Sequence, residues 1–290
     1  MGVTRMFDRI ISIDWSGAGA EAERVALRIA VWERESNECR IQLPPCGGST
    51  RSWRRSECRE YLRQVLSEKA RTLVGMDFGF GLPWGADQAI FQVRGWRKLI
   101  RQIGEVYAKA GTARIAAQTV NARPHLKGHG PYRFDESRTD FQFYLAHDVA
   151  YYRLTELAAP QAISQWYLGS GGTVGFHTIT GLSAIDWLIG LRENGELDFA
   201  VWPFEGLRTN QSILVETYPA ICPKCPDDIQ CKGGDEKDAW KVLQMLVERN
   251  AQGTFANLLD IPEKHFGRVS GIDFKTQVGF EGWILGMKQD

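Results

Sequence analysis

The chain has no excess charge of either sign: its 290 residues hold 35 Lys and Arg against 35 Asp and Glu. That balance excludes a uniformly basic nucleic-acid coat and a highly charged disordered chain. Long hydrophobic runs are also missing. No stretch approaches the roughly 18 apolar residues that a membrane span needs, so no membrane segment is expected. Met1 to Ser12 has no apolar core followed by small residues, as a signal peptide requires. Cysteine is sparse, six in all, which is far from the density of a disulfide scaffold. Reduced thiols and a cytoplasmic location are therefore expected. Repeats, low-complexity tracts and evident linkers are lacking too, and one domain over 1–290 is the simplest organisation.

What is present suits a large core. Hydrophobic residues make up 43% of the chain, with ten Trp, fourteen Phe and eight Tyr, and the mean hydropathy is −0.29. Arg9 to Asp14 is a short apolar run ending in a carboxylate and reads as a buried strand. Arg24 to Trp32 alternates Val25, Leu27, Ile29 and Val31, the period of a second strand. Cys39 to Leu43 is a weaker third, ended by Pro44 and Pro45. Thr50 to Lys69 and Trp96 to Ala110 read as helices. Between them Thr72 to Asp77 is a fourth strand, again closing on a carboxylate. Helices are expected at Asp140–Leu157, Ser183–Arg192 and Asp235–Asn250, and a fifth strand at Ser212–Glu216. The order implies an α/β fold: a mixed five-stranded sheet whose first three strands are antiparallel, flanked by helices, with an α-rich insertion at about 111–210.

The informative pattern is acidic. Asp14, Asp77 and Glu216 each end an apolar strand, and strand ends are where open sheets collect ligands. Carboxylates at neighbouring ends repel one another unless a cation compensates. Oxygen-only donors suit hard cations, Mg²⁺ or Mn²⁺. Asp235 and Asp238, at i and i+3, share a helix face and add donors. The competing reading is ordinary: such residues cap helices, with Asp235 as an N-cap, or bind loop amides.

Other constellations are weaker. Cys222 and Cys225 form a C-x2-C pair followed by Cys231, three of the four ligands of a structural Zn²⁺ site; the alternative is free loop thiols. His125 and His129 stand four apart, but Gly128, Gly130 and Pro131 argue against a helix there. Arg123, His125, Lys127 and Arg138 are candidates for nucleic-acid phosphate contacts, while Arg138 and Asp140 could instead pair at a helix start. Gly169 to Gly175 is glycine-rich but lacks the Lys-Ser/Thr ending of a P-loop. Trp202-Pro203-Phe204-Glu205 reads as packing, with Glu205 a candidate for the site rim.

Several short motifs together resemble one family. Ile13-Asp14-Trp15-Ser16-Gly17, Gly75-Met76-Asp77 through Gly81-Leu82-Pro83, and Trp202 through Glu205 are three of them. Val215-Glu216-Thr217-Tyr218-Pro219 and Glu281-Gly282-Trp283-Ile284 complete the set. In this order, over residues 9 to 287, they resemble the DUF429 family, predicted nucleases of the ribonuclease H-like fold. The resemblance implies a sheet with the fourth and fifth strands beside the first. It implies that Asp14 and Asp77 are the paired catalytic and metal-binding acids, that Glu216 joins them, and that Asp238 or Asp235 supplies the late-helix acid. The implied activity is a divalent-metal-dependent hydrolysis of phosphodiester bonds in DNA or RNA. Two other readings stay open: a non-catalytic binding or scaffold protein of the same fold, and an ATP-dependent phosphotransferase of the actin and sugar-kinase type.

The zero net charge is a cancellation. Residues 51–138 carry +9 and residues 139–290 carry −8, the first 50 supplying the remaining −1. A basic half could hold a phosphate backbone while acidic residues of the other half hold metals; a solvated helix face is the plainer account.

Overall fold

The structure is a computed structural model that describes residues 6–287 apart from 46–50, 128, 136–140, 160, 170–173, 209, 224–230 and 263–271. Six strands form one mixed sheet. They are β1 (Arg9–Asp14), β2 (Arg28–Glu33), β3 (Glu38–Gln42), β4 (Thr72–Met76), β5 (Phe199–Val201) and β6 (Ser212–Glu216). Their spatial order is β3-β2-β1-β4-β6-β5. The first three are antiparallel neighbours, whereas β4, β6 and β5 run parallel to β1. The sequence reading found five of these strands. It missed β5, whose three residues are all buried and too few to display any alternation.

Helices cover both faces. One face carries α1 (Arg55–Ser67), α3 (Trp96–Ala110), α4 (Ala113–Asn121) and α7 (Val174–Glu193), whose apolar side chains pack on Ile11, Ile13, Val74, Met76 and Leu214. The other carries α8 (Gly234–Ala251), packed on Ile10, Leu73, Ile213 and Val215, with α9 (Phe274–Glu281) adding Val278. Alternate residues of each strand thus feed opposite cores, the period-two consequence of the pleat.

The α-rich segment departs from expectation in two places. Asp140–Leu157 is not one helix but two short ones, α5 (Phe141–Ala146) and α6 (Leu154–Ala158). The chain between them is drawn to the short helix α2 (Ala86–Ala89). Ala150 N donates to Trp84 O at 2.8 Å, and Asp148 takes φ 52°. In contrast, α7 starts at Val174 and absorbs the end of the glycine-rich stretch. Its first half showed no amphipathic stripe because it is buried on nearly every side, where Thr178 donates to Gln165 and Thr180 to the Phe176 carbonyl. By length and composition α7 is also the one helix among the described residues that could cross a membrane, and most of it is buried within the protein.

Candidate functional site

Strand register decides which carboxylates meet. Ile13 pairs with Met76, and Met76 with Glu216. The ladder continues through Asp77 N to Ile13 O at 3.0 Å and Thr217 N to Met76 O at 3.0 Å. The next row across the three strands is therefore Asp14, Asp77 and Thr217. Directly paired residues share a sheet face, so Asp14 and Asp77 lie on the α8 side with Val215. Glu216, like Leu214 and Met76, faces the opposite side.

The helix α8 brings the late acids to that row. Asn250 near its C-terminus accepts from Met6 N at 2.8 Å and Phe7 N at 3.0 Å, at the far end of β1. Its N-terminal turn therefore lies at the Asp14 end. Close approach depends on Gly75, where a Cβ would stand 2.8 Å from Thr217 Cγ2 and 3.3 Å from Leu246 Cδ1. Gly233 is the N-cap, so Asp235 is not the cap. Asp238 is half-buried and pairs with Lys241 at 2.5 Å.

The electrostatics report this crowding. Burial, reinforced by Asp77, Asp235 and Asp238 and opposed by Arg28, pushes the Asp14 carboxyl up to about 9. Burial also raises Asp77 to about 7, with Asp238 and Glu216 adding and Lys241 opposing. Four aspartates thus share one field. Among the described residues, however, no three His, Cys, Asp or Glu side chains converge tightly enough to hold one cation.

Glu216, although close enough to raise Asp77, is engaged from the opposite side of the sheet. Arg153 grips it with two bonds, Nη2 to Oε1 at 2.6 Å and Nη1 to Oε2 at 2.8 Å, and Phe80 N donates to Oε2 at 2.9 Å. Arg153, 1% exposed, also donates Nε to Glu156 Oε1 at 2.7 Å and Nη1 to the Glu281 carbonyl at 3.1 Å. Glu281, fully buried, accepts from Trp84 N and Leu154 N, each at 2.7 Å, and burial raises its carboxyl to about 7. Glu216 therefore belongs to a buried frame beneath the site. Between the frame and Asp77 lies a cavity of about 100 Å³. Thr217, in its wall, has a buried hydroxyl without a hydrogen-bond partner.

No protein-family model, curated protein or solved structure matches the chain at a significant level. The site therefore stands on its own geometry.

The turn after Asp14 is fixed, not mobile. Arg55, itself 1% exposed, donates Nη1 to Ser16 O at 3.0 Å and Ala18 O at 2.8 Å, and Nη2 to Gly19 O at 3.1 Å. Trp15 Nε1 donates to Thr180 Oγ1 at 2.9 Å. A Cβ at Gly17 would overlap the peptide joining Phe176 to His177. Gly17→Ala is expected to cost about 1–3 kcal/mol through overpacking, read as a lowered urea midpoint at unchanged slope.

Arg123 Nη1 donates to Ile90 O at 2.9 Å, and its guanidinium lies 4.9 Å above the Phe91 ring. His125 Nε2 stands 3.2 Å from the same carbonyl. Both hold the segment after α2. Lys127 is exposed, and Arg138 lies outside the described residues. Cys222 Sγ approaches Met245 Sδ at 3.7 Å, and Cys231 Sγ approaches Glu236 O at 3.7 Å. Cys225 is outside the described residues. Glu205 is gripped by Arg192 through two 2.6 Å bonds, and Phe204 stacks on Trp96 at 4.0 Å, so that motif packs as expected.

Sequence reasoning missed four residues of consequence. Arg153 and Glu156 carried a visible i, i+3 pairing signal. Lys241 showed the same signal with Asp238. His177, half-buried beside the Gly17 turn and lowered to about 4 by burial and Arg55, carried none.

Proposed function

We propose that the chain is a divalent-metal-dependent phosphodiester hydrolase of ribonuclease H-like fold, acting on nucleic acid. The observation that carries the reading is the pairing of Asp14 with Asp77 at adjacent parallel strand ends. Both are held above the ordinary carboxylate range, and Asp238 and Asp235 are presented from α8. Groups so crowded gain from a cation, which replaces protons as the source of positive charge. The strand order and the motif resemblance to the DUF429 family support the same reading.

The donor set fits Mg²⁺ or Mn²⁺: it offers carboxylate oxygens and no thiolate or imidazole. Asp14 and Asp77 would hold the cation, with Asp238 joining once it exchanges Lys241 for the metal, and Asp235 at the rim. When bound, such a cation activates water and neutralises charge on the phosphoryl group. The chain's own residues orient that chemistry. Arg55 fixes the turn after Asp14, and the Arg153 frame fixes the segment after Asp77.

Purified chain with Mn²⁺ or Mg²⁺ is expected to cut DNA or RNA oligonucleotides, followed on denaturing gels. Asp14→Asn and Asp77→Asn should each reduce cutting at least a hundredfold, as expected when charge stabilisation of the transition state is lost. Cutting that survives both substitutions would overturn the assignment. One observation favours a non-catalytic binding protein instead: no three ligating side chains converge among the described residues. Nucleic-acid binding without cutting at any metal concentration would select that alternative.

A further inference from the structure

Asp235 and Asp238 flank an acid in a different setting. Glu236 is fully buried, whereas Asp235 is exposed and Asp238 half-buried. Arg51 Nη1 donates to both Glu236 oxygens, at 2.7 and 2.8 Å, and Lys232 N donates to Oε2 at 2.6 Å. Arg28 Nε stands 3.6 Å from Oε1, short of a hydrogen bond, and is buried without a hydrogen-bond partner. Arg28 is also the register partner of Asp14 across β1 and β2. Directly paired residues share a face, so Arg28 lies beside Asp14 on the α8 side of the sheet. Its charge acts on Asp14, yet among the described residues its ion pair is with Glu236. The charges therefore alternate in the order Asp14, Arg28, Glu236, Arg51.

We propose that Glu236 is a positioning residue of the metal site, drawing the Arg28 guanidinium toward α8 and so keeping Asp14 open to a cation. Glu236 contacts neither metal nor substrate and acts through Arg28. The inference rests on the metal-dependent hydrolase reading and deepens it by naming what keeps the site's own arginine from filling it. The physical argument is competition. A guanidinium and a divalent cation both neutralise Asp14, and each opposes the binding of the other. Cross-strand partners have Cβ atoms about 5 Å apart, so an arginine side chain reaches Asp14 by a change of rotamer. Without the Glu236 charge, Arg28 and Arg51 lose the anion between them, and Asp14 is the carboxylate across the ladder.

The test is isothermal titration calorimetry of the full chain with Mn²⁺ at fixed ionic strength. Glu236→Gln keeps the shape and loses the charge. It should weaken Mn²⁺ binding about tenfold, the scale of a unit charge moved a few ångströms at a partly buried site. Glu236→Gln/Arg28→Gln should bind Mn²⁺ as tightly as the native chain. A merely structural role predicts no such recovery, because the second substitution removes a further partner and cannot return a displaced helix. Arg51→Gln serves if Glu236→Gln does not fold: it leaves Glu236 to Arg28 alone, and Mn²⁺ affinity should hold or rise. Affinity unchanged in Glu236→Gln, not regained in the double variant, or weakened in Arg51→Gln would each overturn the proposal. Mn²⁺ binding and cutting that both depend on Asp14 would leave the hydrolase reading standing even then. A native chain that binds no Mn²⁺ would overturn both. Glu236-dependent binding without cutting would support the positioning role and overturn the hydrolase.

Discussion

Arg153→Met is expected to destabilise the protein by about 3–5 kcal/mol, the usual penalty for breaking a buried ion pair from one side. For a chain of this size that lowers Tm by on the order of 10 °C. Glu216 would keep only the Phe80 amide and Glu156 only the Gln165 amide and its own helix-start bond, all deep in the protein. A carboxylate left so poorly compensated either stays charged at great cost or takes up a proton. Arg153→Lys should restore little, because an ammonium cannot serve two carboxylates and a carbonyl in one plane. The double variant Arg153→Met/Glu216→Gln should recover part of the loss, giving a coupling energy that a thermodynamic cycle measures. A loss below about 1 kcal/mol, the scale of an exposed ion pair, would show that the frame is not what holds this region.

Asp14→Asn is expected to do the opposite to stability and to abolish the response to metal. In the folded chain the Asp14 carboxyl titrates at about 9 against an ordinary 3.8. The folded state therefore binds a proton that the unfolded state has released between those values. Stability from this group is complete on the acid side, below the ordinary value, and falls as pH rises toward 9. Asp77 behaves alike over a narrower window ending near 7. Asparagine keeps the shape without the charge. In chelator at neutral to mildly alkaline pH the variant should gain on the order of 2 kcal/mol, discounted for the partial exposure of the group. Saturating Mn²⁺ should raise the Tm of the native chain, by the equivalent of about 2.7 kcal/mol at a hundredfold excess over Kd. It should leave the variant unmoved. A variant that melts below the native chain in chelator would contradict the crowding inferred at Asp14.

Much of this was legible in sequence where one physical rule dominated. Trp96–Ala110 and Ser212–Glu216 fell where hydrophobic period and length placed them. Asp14, Asp77, Asp235 and Asp238 could be singled out as neighbours because apolar runs ending in acid, and acids at i, i+3, have fixed geometric meaning. Glu216 was misplaced by one position of parity. A strand-end acid can face either side of the sheet, and only the register of β6 against β4 decides which. The break in Asp140–Leu157 was invisible because it follows from a tertiary bond to Trp84. The start of α7 was invisible because a helix buried all round carries no stripe. Arg123 and His125 looked free in a polar loop, and only the fold supplies the Ile90 carbonyl they share.

The Glu281 carboxylate joins Trp84 to Leu154, partners 197 and 127 residues away along the chain. Glu281 also lends its carbonyl to Arg153. On a ribosome, every aspartate of the site leaves the exit tunnel before that residue does. The segment after Asp77 therefore waits for its last anchors until 197 further residues beyond Trp84 have been made. Such long-range closure is slow compared with local helix formation. A nascent chain would thus carry a complete set of acids on an unfinished scaffold, and competence would arrive late and all at once.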